Sequence, residues 1–298
     1  MNDTTALGET VETLIAVTGA TGGIGSRVAK RLAAEGVRQR LIVRDPGRAP
    51  VLRGSEIGVA EYRDGPAMRK ALEGIHTMLL VSAKESVDRL DEHLTAVEAA
   101  RDAGVHRVVY TSFLGAGPEC TFTLARQHWA TEEAIRASGM AFTFLRDSLY
   151  ADFTPYMVDG DDRVIRGPAG AGRASAVARD DVASVAEAVL LAGGAHDGRS
   201  YDITGPEALS VQDIADILGD VTGKPIGYEE ETVEEAFTSR EKYDAPDWEV
   251  EGWVSTYTAI AAGELSLVSG DVEAVTGHPP TGLRDLMTAH PDMWAHLA

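Results

Sequence analysis

The stretch Thr18-Gly19-Ala20-Thr21-Gly22-Gly23-Ile24-Gly25, directly after the apolar run Leu14-Ile15-Ala16-Val17, constrains this chain more than any other. A short apolar run, a cluster of glycines and then a helix-forming sequence is the pattern of a buried strand that turns sharply into a helix. The glycines have separate uses there: one makes the bend, one lets an anion approach the backbone, and one lets the helix pack close to the strand. The amides at the helix start then face a phosphate. An ordinary strand-to-helix turn also uses glycine, but both flanks here are right, so Gly19, Ala20, Thr21, Gly22, Gly23, Ile24 and Gly25 are predicted to hold a dinucleotide pyrophosphate.

Arg44 follows the second apolar run, Leu41-Ile42-Val43. Sites for NAD usually end this strand with an acid on the ribose hydroxyls, whereas an arginine there accommodates the extra phosphate of NADP. The expected cofactor is therefore NADPH, with Arg44 on the 2′-phosphate and Arg48 adding to it. One charge-assisted hydrogen bond, worth about 1.5–3 kcal/mol, corresponds to a preference of roughly 10–100-fold. Asp45 would blunt it by repelling the phosphate, and an exposed arginine in a polar turn is the competing reading.

At 298 residues the chain can form one extended α/β unit or a nucleotide domain with a smaller partner. A formal net charge of -20 argues against nucleic-acid or anionic-membrane surfaces, which need clustered Lys and Arg. The acidity reads as a solubility device that mildly favours a cationic small molecule. Cys120 is the single cysteine, which excludes an intramolecular disulfide and a Cys-based zinc site and fits a cytoplasmic location. Residues 1–12, polar and acidic, read as a flexible lead-in and not as a signal peptide. No apolar run reaches the length of a membrane span.

Strands and helices alternate through the first two thirds. A helix over Ser26–Glu35 ends at Gly36, and Ile57–Tyr62 reads as a third strand. Asp64 caps a helix over Ala67–Glu73, and Met78–Val81 reads as a central parallel strand with Ser82 at its carboxyl end. A helix over Val87–Ala103, a strand over Arg107–Ser112, a helix over Leu124–Ser138 and a strand over Phe142–Leu145 follow. This predicts a doubly wound parallel sheet of the Rossmann type, over residues 13–204. Gly167–Gly172 reads as a flexible loop, Asp180–Leu191 as a helix, and Tyr201–Ile203 as a strand that rejoins the sheet. Residues 205–298, after Gly205-Pro206, read as a smaller, mainly helical lobe on the substrate side, with residues 147–175 contributing to the pocket.

Thr18 to Gly25 is similar to the nucleotide motif of short-chain dehydrogenases/reductases. The Tyr and Lys pair of the classical members is absent; the place where it should fall carries His128 and Glu132. With Ile42-Val43-Arg44-Asp45-Pro46, Tyr110-Thr111-Ser112, Ala130-Thr131-Glu132, Phe142-Thr143-Phe144-Leu145-Arg146 and Leu149-Tyr150-Ala151-Asp152-Phe153, the chain resembles the atypical NmrA-like branch. Within it, the likeness is greatest to NADPH-dependent triphenylmethane reductases and NAD(P)H:quinone oxidoreductases. The resemblance implies Glu61 and Tyr62 near the adenine and Ser82, Ala83 and Lys84 along the cofactor. It implies Asp147, Ser148, Leu149 and Tyr150 at the nicotinamide and substrate. Relatives often have Asn where Asp147 stands; a carboxylate there could stabilise the oxidised ring.

The chemistry expected is hydride transfer to quinones, triarylmethane-type dyes or similar conjugated acceptors, in which the protein supplies orientation and electrostatics. His128 is the leading candidate proton donor, with Glu132 four residues on to orient it; a packed histidine is the competing reading. Tyr150 donates a proton or walls the pocket, and Ser112 acts in catalysis or bonds the nicotinamide. The run Glu229-Glu230-Glu231 with Glu234-Glu235 reads as a solvated helix start, and no metal is expected. The alternative function is a non-catalytic NAD(P)-binding redox sensor. A homodimer is the expectation by frequency.

Overall fold

The apolar run after Leu14 forms β1 (Ile15–Thr18), and the glycine turn leads into α1 (Gly25–Ala34). β2 (Gln39–Val43), β3 (Ser55–Val59), α2 (Gly65–Ala71), β4 (Thr77–Leu80), α3 (Arg89–Asp102), β5 (Arg107–Phe113), α4 (Thr123–Ala137) and β6 (Ala141–Asp147) follow in alternation. The second half carries β7 (Val164–Gly167), β8 (Arg173–Ala174), α5 (Arg179–Leu191), β9 (Arg199–Ile203), β10 (Leu209–Ser210) and α6 (Val211–Thr222). It ends with β11 (Gly227–Glu230), α7 (Val233–Arg240), α8 (Asp247–Ala261), α9 (Asp271–Thr276) and α10 (Leu283–Ala289). This computed structural model describes residues 14–297, so the lead-in expected over 1–12 lies outside the described residues.

Seven parallel strands form one sheet in the order β3-β2-β1-β4-β5-β6-β9. The doubly wound Rossmann sheet expected from the alternation is present, and the strand expected at Tyr201–Ile203 does rejoin it beside β6. The chain leaves β1 toward β2 and later returns to its other side with β4. The crevice between the carboxyl ends of β1 and β4 is therefore the switch point where such sheets bind ligands. Burial on both faces explains the unbroken apolar runs: Val17, Leu41 and Leu79 pack toward α1 and α5, and Ala16, Met78 and Leu80 pack toward the α2–α4 side.

Two expectations are corrected. The third strand spans Ser55–Val59, not Ile57–Tyr62, because its ladder partner β2 ends at Val43, opposite Val59. As an edge strand it turns only Gly58 into the core, so its hydrophobicity carries little signal. The stretch Gly167–Gly172 is packed: Ala169 is buried, Tyr228 Oη donates to the Gly167 carbonyl at 2.8 Å, and a Cβ on Gly172 would stand 2.1 Å from Ile260 O. Gly172 serves close approach to the α8 backbone and Gly167 to the Tyr257 ring, while Gly170 takes φ +53°, so none of the three marks a loose loop.

A second core joins Phe122, Ala151 and Ile165 to Leu218, Ile260 and Leu286. The acidic run divides, contrary to the single solvated helix start expected: Glu229 and Glu230 lie in β11 beside β7, Glu231 is buried on Arg240 at 2.9 Å, and only Glu234-Glu235 opens α7, where Thr232 caps the helix in a reciprocal box with Glu235. No helix among the described residues is long and apolar enough to cross a membrane.

Candidate active site

Gly19 takes φ +60°, a conformation that favours glycine, and its carbonyl accepts from Gly22 N at 2.8 Å to close the turn. A Cβ on Gly25 would stand 2.3 Å from Gly19 O, so only glycine lets α1 begin this close to β1. No side chain caps α1, and no acid stands in its first turn. Its amides and its positive end therefore stay available to an anion. Thr18 Oγ1 bridges the crevice to β4, donating to Leu79 O at 3.0 Å and accepting from Val81 N at 2.9 Å.

Beside the turn, Thr21, Arg44, Asp45, Arg48 and Glu61 line a concavity of about 280 Å³. Its two acids are engaged: Asp45 accepts from Gly47 N at 2.9 Å, and Glu61 pairs with Arg63 at 2.8 Å. Neither Arg44 nor Arg48 has a hydrogen-bond or ion-pair partner among the described residues, which leaves two free cations in a chain of charge -20. Tyr62 turns inward. Its hydroxyl lies 2.5 Å from Thr18 Oγ1 and 2.6 Å from Val81 O, and it braces the strand ends.

A third arginine, Arg179, has a comparable position at the other side of the turn. Its Cδ is 3.2 Å from where a Cβ on Gly23 would stand, and its guanidinium lies 4.8 Å from the centre of the Tyr150 ring. The neighbouring acids are held elsewhere. Asp152 accepts from the Arg179 backbone amide at 2.8 Å and faces Arg27, and Asp180 pairs with Arg31 at 2.7 Å.

Asp147, at the carboxyl end of β6, is buried; its Oδ2 accepts from Tyr150 Oη at 3.1 Å, and its Oδ1 has no partner among the described residues. Burial holds the Asp147 carboxyl well above the usual carboxylate range, with the Tyr150 hydrogen bond opposing. Burial also raises Tyr150, and the adjacent carboxyl adds to that. Ser148 N donates to Ile203 O at 2.9 Å, and Leu149 O accepts from Val177 N at 2.8 Å, which fixes the segment below Tyr150. Ser82 N donates to Thr111 Oγ1, and Ala83 N donates to His93 Nε2, both at 2.8 Å; Lys84 is exposed.

His128 and Ser112 lie in the layer between the sheet and helices α3 and α4. Arg89 Nη2 donates to His128 Nε2, and His128 Nδ1 is 2.9 Å from Tyr110 Oη. With donors on Nε2 of both His93 and His128, each neutral ring carries its proton on Nδ1. Burial, reinforced by the Arg89 charge, lowers His93 to about 3 and pushes His128 well below its ordinary value. Glu132 does not orient His128. Its oxygens accept from Ser112 Oγ at 2.6 Å, from Arg146 at 2.9 and 2.7 Å, and from Arg136 at 3.0 Å. The i,i+4 spacing of His128 and Glu132 fits a shared helix face, but stronger donors on neighbouring elements occupy both side chains.

Sequence reasoning missed Arg89, His93, Tyr110 and Arg179. Arg89 and His93 are themselves four apart on an otherwise Ala-rich buried face of α3, the signal that could have marked them.

The profile of the NAD(P)H-binding family matches residues 19–192, more than half of the chain. The chain belongs to the NAD(P)H-binding family. The NmrA-like resemblance and the dinucleotide motif point the same way. Among curated proteins, the chain is 33% identical over 288 residues to the (4-alkanoyl-5-oxo-2,5-dihydrofuran-3-yl)methyl phosphate reductase of Streptomyces griseus subsp. griseus, covering 95% of this chain and 99% of that one. Among solved structures, it is similar to an NADPH-dependent quinone oxidoreductase of Escherichia coli complexed with NADPH, with TM-score 0.84, 28% identity, and 93% and 99% of the two chains covered. A Citrobacter sp. triphenylmethane reductase complexed with NADP(H) gives TM-score 0.81 at 30% identity, with 95% and 100% covered.

Proposed function

We propose that this chain is an NADPH-dependent reductase that delivers a hydride to quinones, triarylmethane-type dyes or similar flat conjugated acceptors. The observation that carries the reading is the glycine turn with its uncapped helix and its unpaired cations. The Gly25 contact lets α1 start directly against the end of β1 with its amides uncapped, and Arg44 and Arg48 face the neighbouring concavity with no partner among the described residues. The residues fit the dinucleotide: Gly19 through Gly25 would hold its pyrophosphate with Arg179, and Arg44 with Arg48 its 2′-phosphate.

When bound, the reduced nicotinamide supplies the hydride. The chain itself supplies a pocket wall at Tyr150, a buried Asp147 beside it, and a shielded site at the carboxyl edge of the sheet. A neutral, doubly engaged His128 is poorly placed to donate a proton, so solvent is the proton source for acceptors that need one. Named relatives that are reductases favour turnover over the sensor reading. One of them acts, by its name, on a dihydrofuranone, a conjugated acceptor.

The enzyme works in the cytoplasm on a small molecule, as a homodimer, with residues 205–298 and 147–175 on the substrate side of a Rossmann domain over 13–204. The test follows NADPH absorbance with purified protein and a panel of quinones, cationic dyes and ketones, with NADH in parallel. Acceptor-dependent oxidation is expected with quinones or dyes; cofactor binding without oxidation by any acceptor would replace the reductase with the sensor.

A further inference from the structure

Arg89 breaks three local rules at once. It is the first residue of α3, the positive end of a helix, where a cation is disfavoured. It is 3% exposed, although arginine is rarely buried without a counter-charge. Among the described residues its guanidinium has no carboxylate partner: it donates to His128 Nε2, lies 3.4 Å from Gln127 Oε1, and leaves Nε unpartnered. Both hydrogen-bond partners are neutral, and Glu85 in the preceding loop attracts the charge only through space, so no carboxylate is bonded to the guanidinium.

Removing the counter-charge from a buried ion pair is strongly destabilising, so an arginine kept this way carries a function that offsets its cost. Its location indicates which. The loop from Ser82 to Asp88 carries the chain from the carboxyl end of β4 straight to Arg89, at the ligand-binding edge of the sheet. Burial and the Asp147 carboxyl hold Tyr150 up, and the charges of Arg179 and then Arg89 oppose them, so the Arg89 charge is within electrostatic reach of the pocket wall.

We propose that Arg89 sets the acceptor class of this site: its buried, unpaired guanidinium selects acceptors that gain negative charge on reduction, quinones and conjugated carbonyls, over cationic dyes. The inference rests on the reductase reading above. In reduction of a quinone, the hydride forms the new C–H bond and the nicotinamide is oxidised. The displaced π pair settles on the acceptor oxygen as an oxyanion, which water then protonates. A fixed positive charge in a dry site stabilises that oxyanion and needs no acidic side chain, which fits a chain lacking the Tyr and Lys pair. The same charge repels a triarylmethyl cation.

The test uses 4-nitrophenol, a flat conjugated phenol whose absorbance reports an ionisation near neutral pH, as a probe of the whole protein without turnover. The native chain is expected to lower the bound probe's apparent pKa by about one unit or more, Arg89→Lys to retain most of that shift, and Arg89→Gln to abolish it. With NADPH, Arg89→Gln is expected to reduce the kcat/KM ratio of a neutral quinone to a cationic triarylmethane dye by roughly 10–100-fold. A bound probe whose pKa is unshifted in the native chain overturns the proposal even if Arg89→Gln does not fold. A folded Arg89→Gln protein with both the probe shift and the ratio intact overturns it too. Failure of NADPH turnover with every acceptor would instead sink the reductase reading, which the probe titration does not depend on.

Discussion

Ser112 Oγ donates to Glu132 Oε1 at 2.6 Å, joining the carboxyl end of β5 to the middle of α4. Glu132 is fully buried and also receives Arg146 through two bonds and Arg136 through one. Every Glu132 oxygen is therefore satisfied by a charged or hydroxyl donor. Glu132→Gln is expected to cost about 3–5 kcal/mol, because it leaves Arg146 without the carboxylate it pairs with, while Arg136 keeps only Glu133. Urea denaturation of the two proteins checks this; an unchanged midpoint would remove Glu132 as the anchor of the sheet edge.

Arg44 has no hydrogen-bond or ion-pair partner among the described residues and faces the concavity beside the glycine turn. Arg44→Ala is expected to shrink the preference for NADPH over NADH by roughly 10–100-fold, mainly through weaker NADPH binding. Fluorescence titration with each cofactor reads it directly, and undiminished selectivity would refute the assignment.

Arg179 touches the part of the turn that would meet the pyrophosphate, which both cofactors share. Arg179→Met is expected to weaken NADPH and NADH alike, by about tenfold or more, and to leave their ratio unchanged. A changed ratio, or no change in either affinity, would place Arg179 elsewhere in the chemistry.

The two buried histidines make the fold sensitive to acid. His93 is held to about 3 and His128 well below its ordinary value, while in the unfolded chain both protonate near pH 6.5. Below about pH 6.5 the unfolded state takes up protons that the folded state refuses. Stability is thus fully present above that pH and falls as pH drops, by up to about 1.4 kcal/mol per pH unit for each histidine. Urea midpoints between pH 7.5 and 5 check the slope, which should be shallower in His93→Asn. Nitrogen chemical shifts that titrate near pH 6.5 in the folded protein would contradict it.

Asp147 acts with the opposite sign. Its carboxyl is raised by burial, so the folded chain keeps a proton that the unfolded chain loses near pH 4. Stability is lost as pH rises from there toward the folded value. Asp147→Asn removes that loss and is expected to be more stable by about 1–3 kcal/mol near neutral pH, with the gap closing as pH falls toward 4. Melting temperatures at pH 7.5 and 4.5 compare the two; a gap independent of pH would mean that Asp147 is ionised in the fold.

Local chemistry made much of this molecule legible in advance. The strand, glycine turn and helix from Ile15 to Ala34, the cap at Asp64 and the arginine after β2 follow from short-range rules, because each depends on residues a few positions apart. Periodicity likewise identified nearly every sheet strand. It misjudged β3, an edge strand whose limits come from its partner, and Gly167–Gly172, where Gly172 answers to the backbone of α8 and Gly167 to its Tyr257 ring.

The candidate site divides in the same way. The sequence by itself determined the glycine turn into α1 and the arginine after β2, since backbone conformation and a missing side chain are properties of one short segment. Only the tertiary structure decided what His128, Glu132, Arg89 and Arg179 do. Hydrogen-bond partners and burial come from residues 14 to 156 positions apart, as when Glu132 turns to Arg146 and Ser112, and Arg179 meets Gly23. The charge state of a buried group is set by whatever surrounds it in space, and no local pattern encodes that.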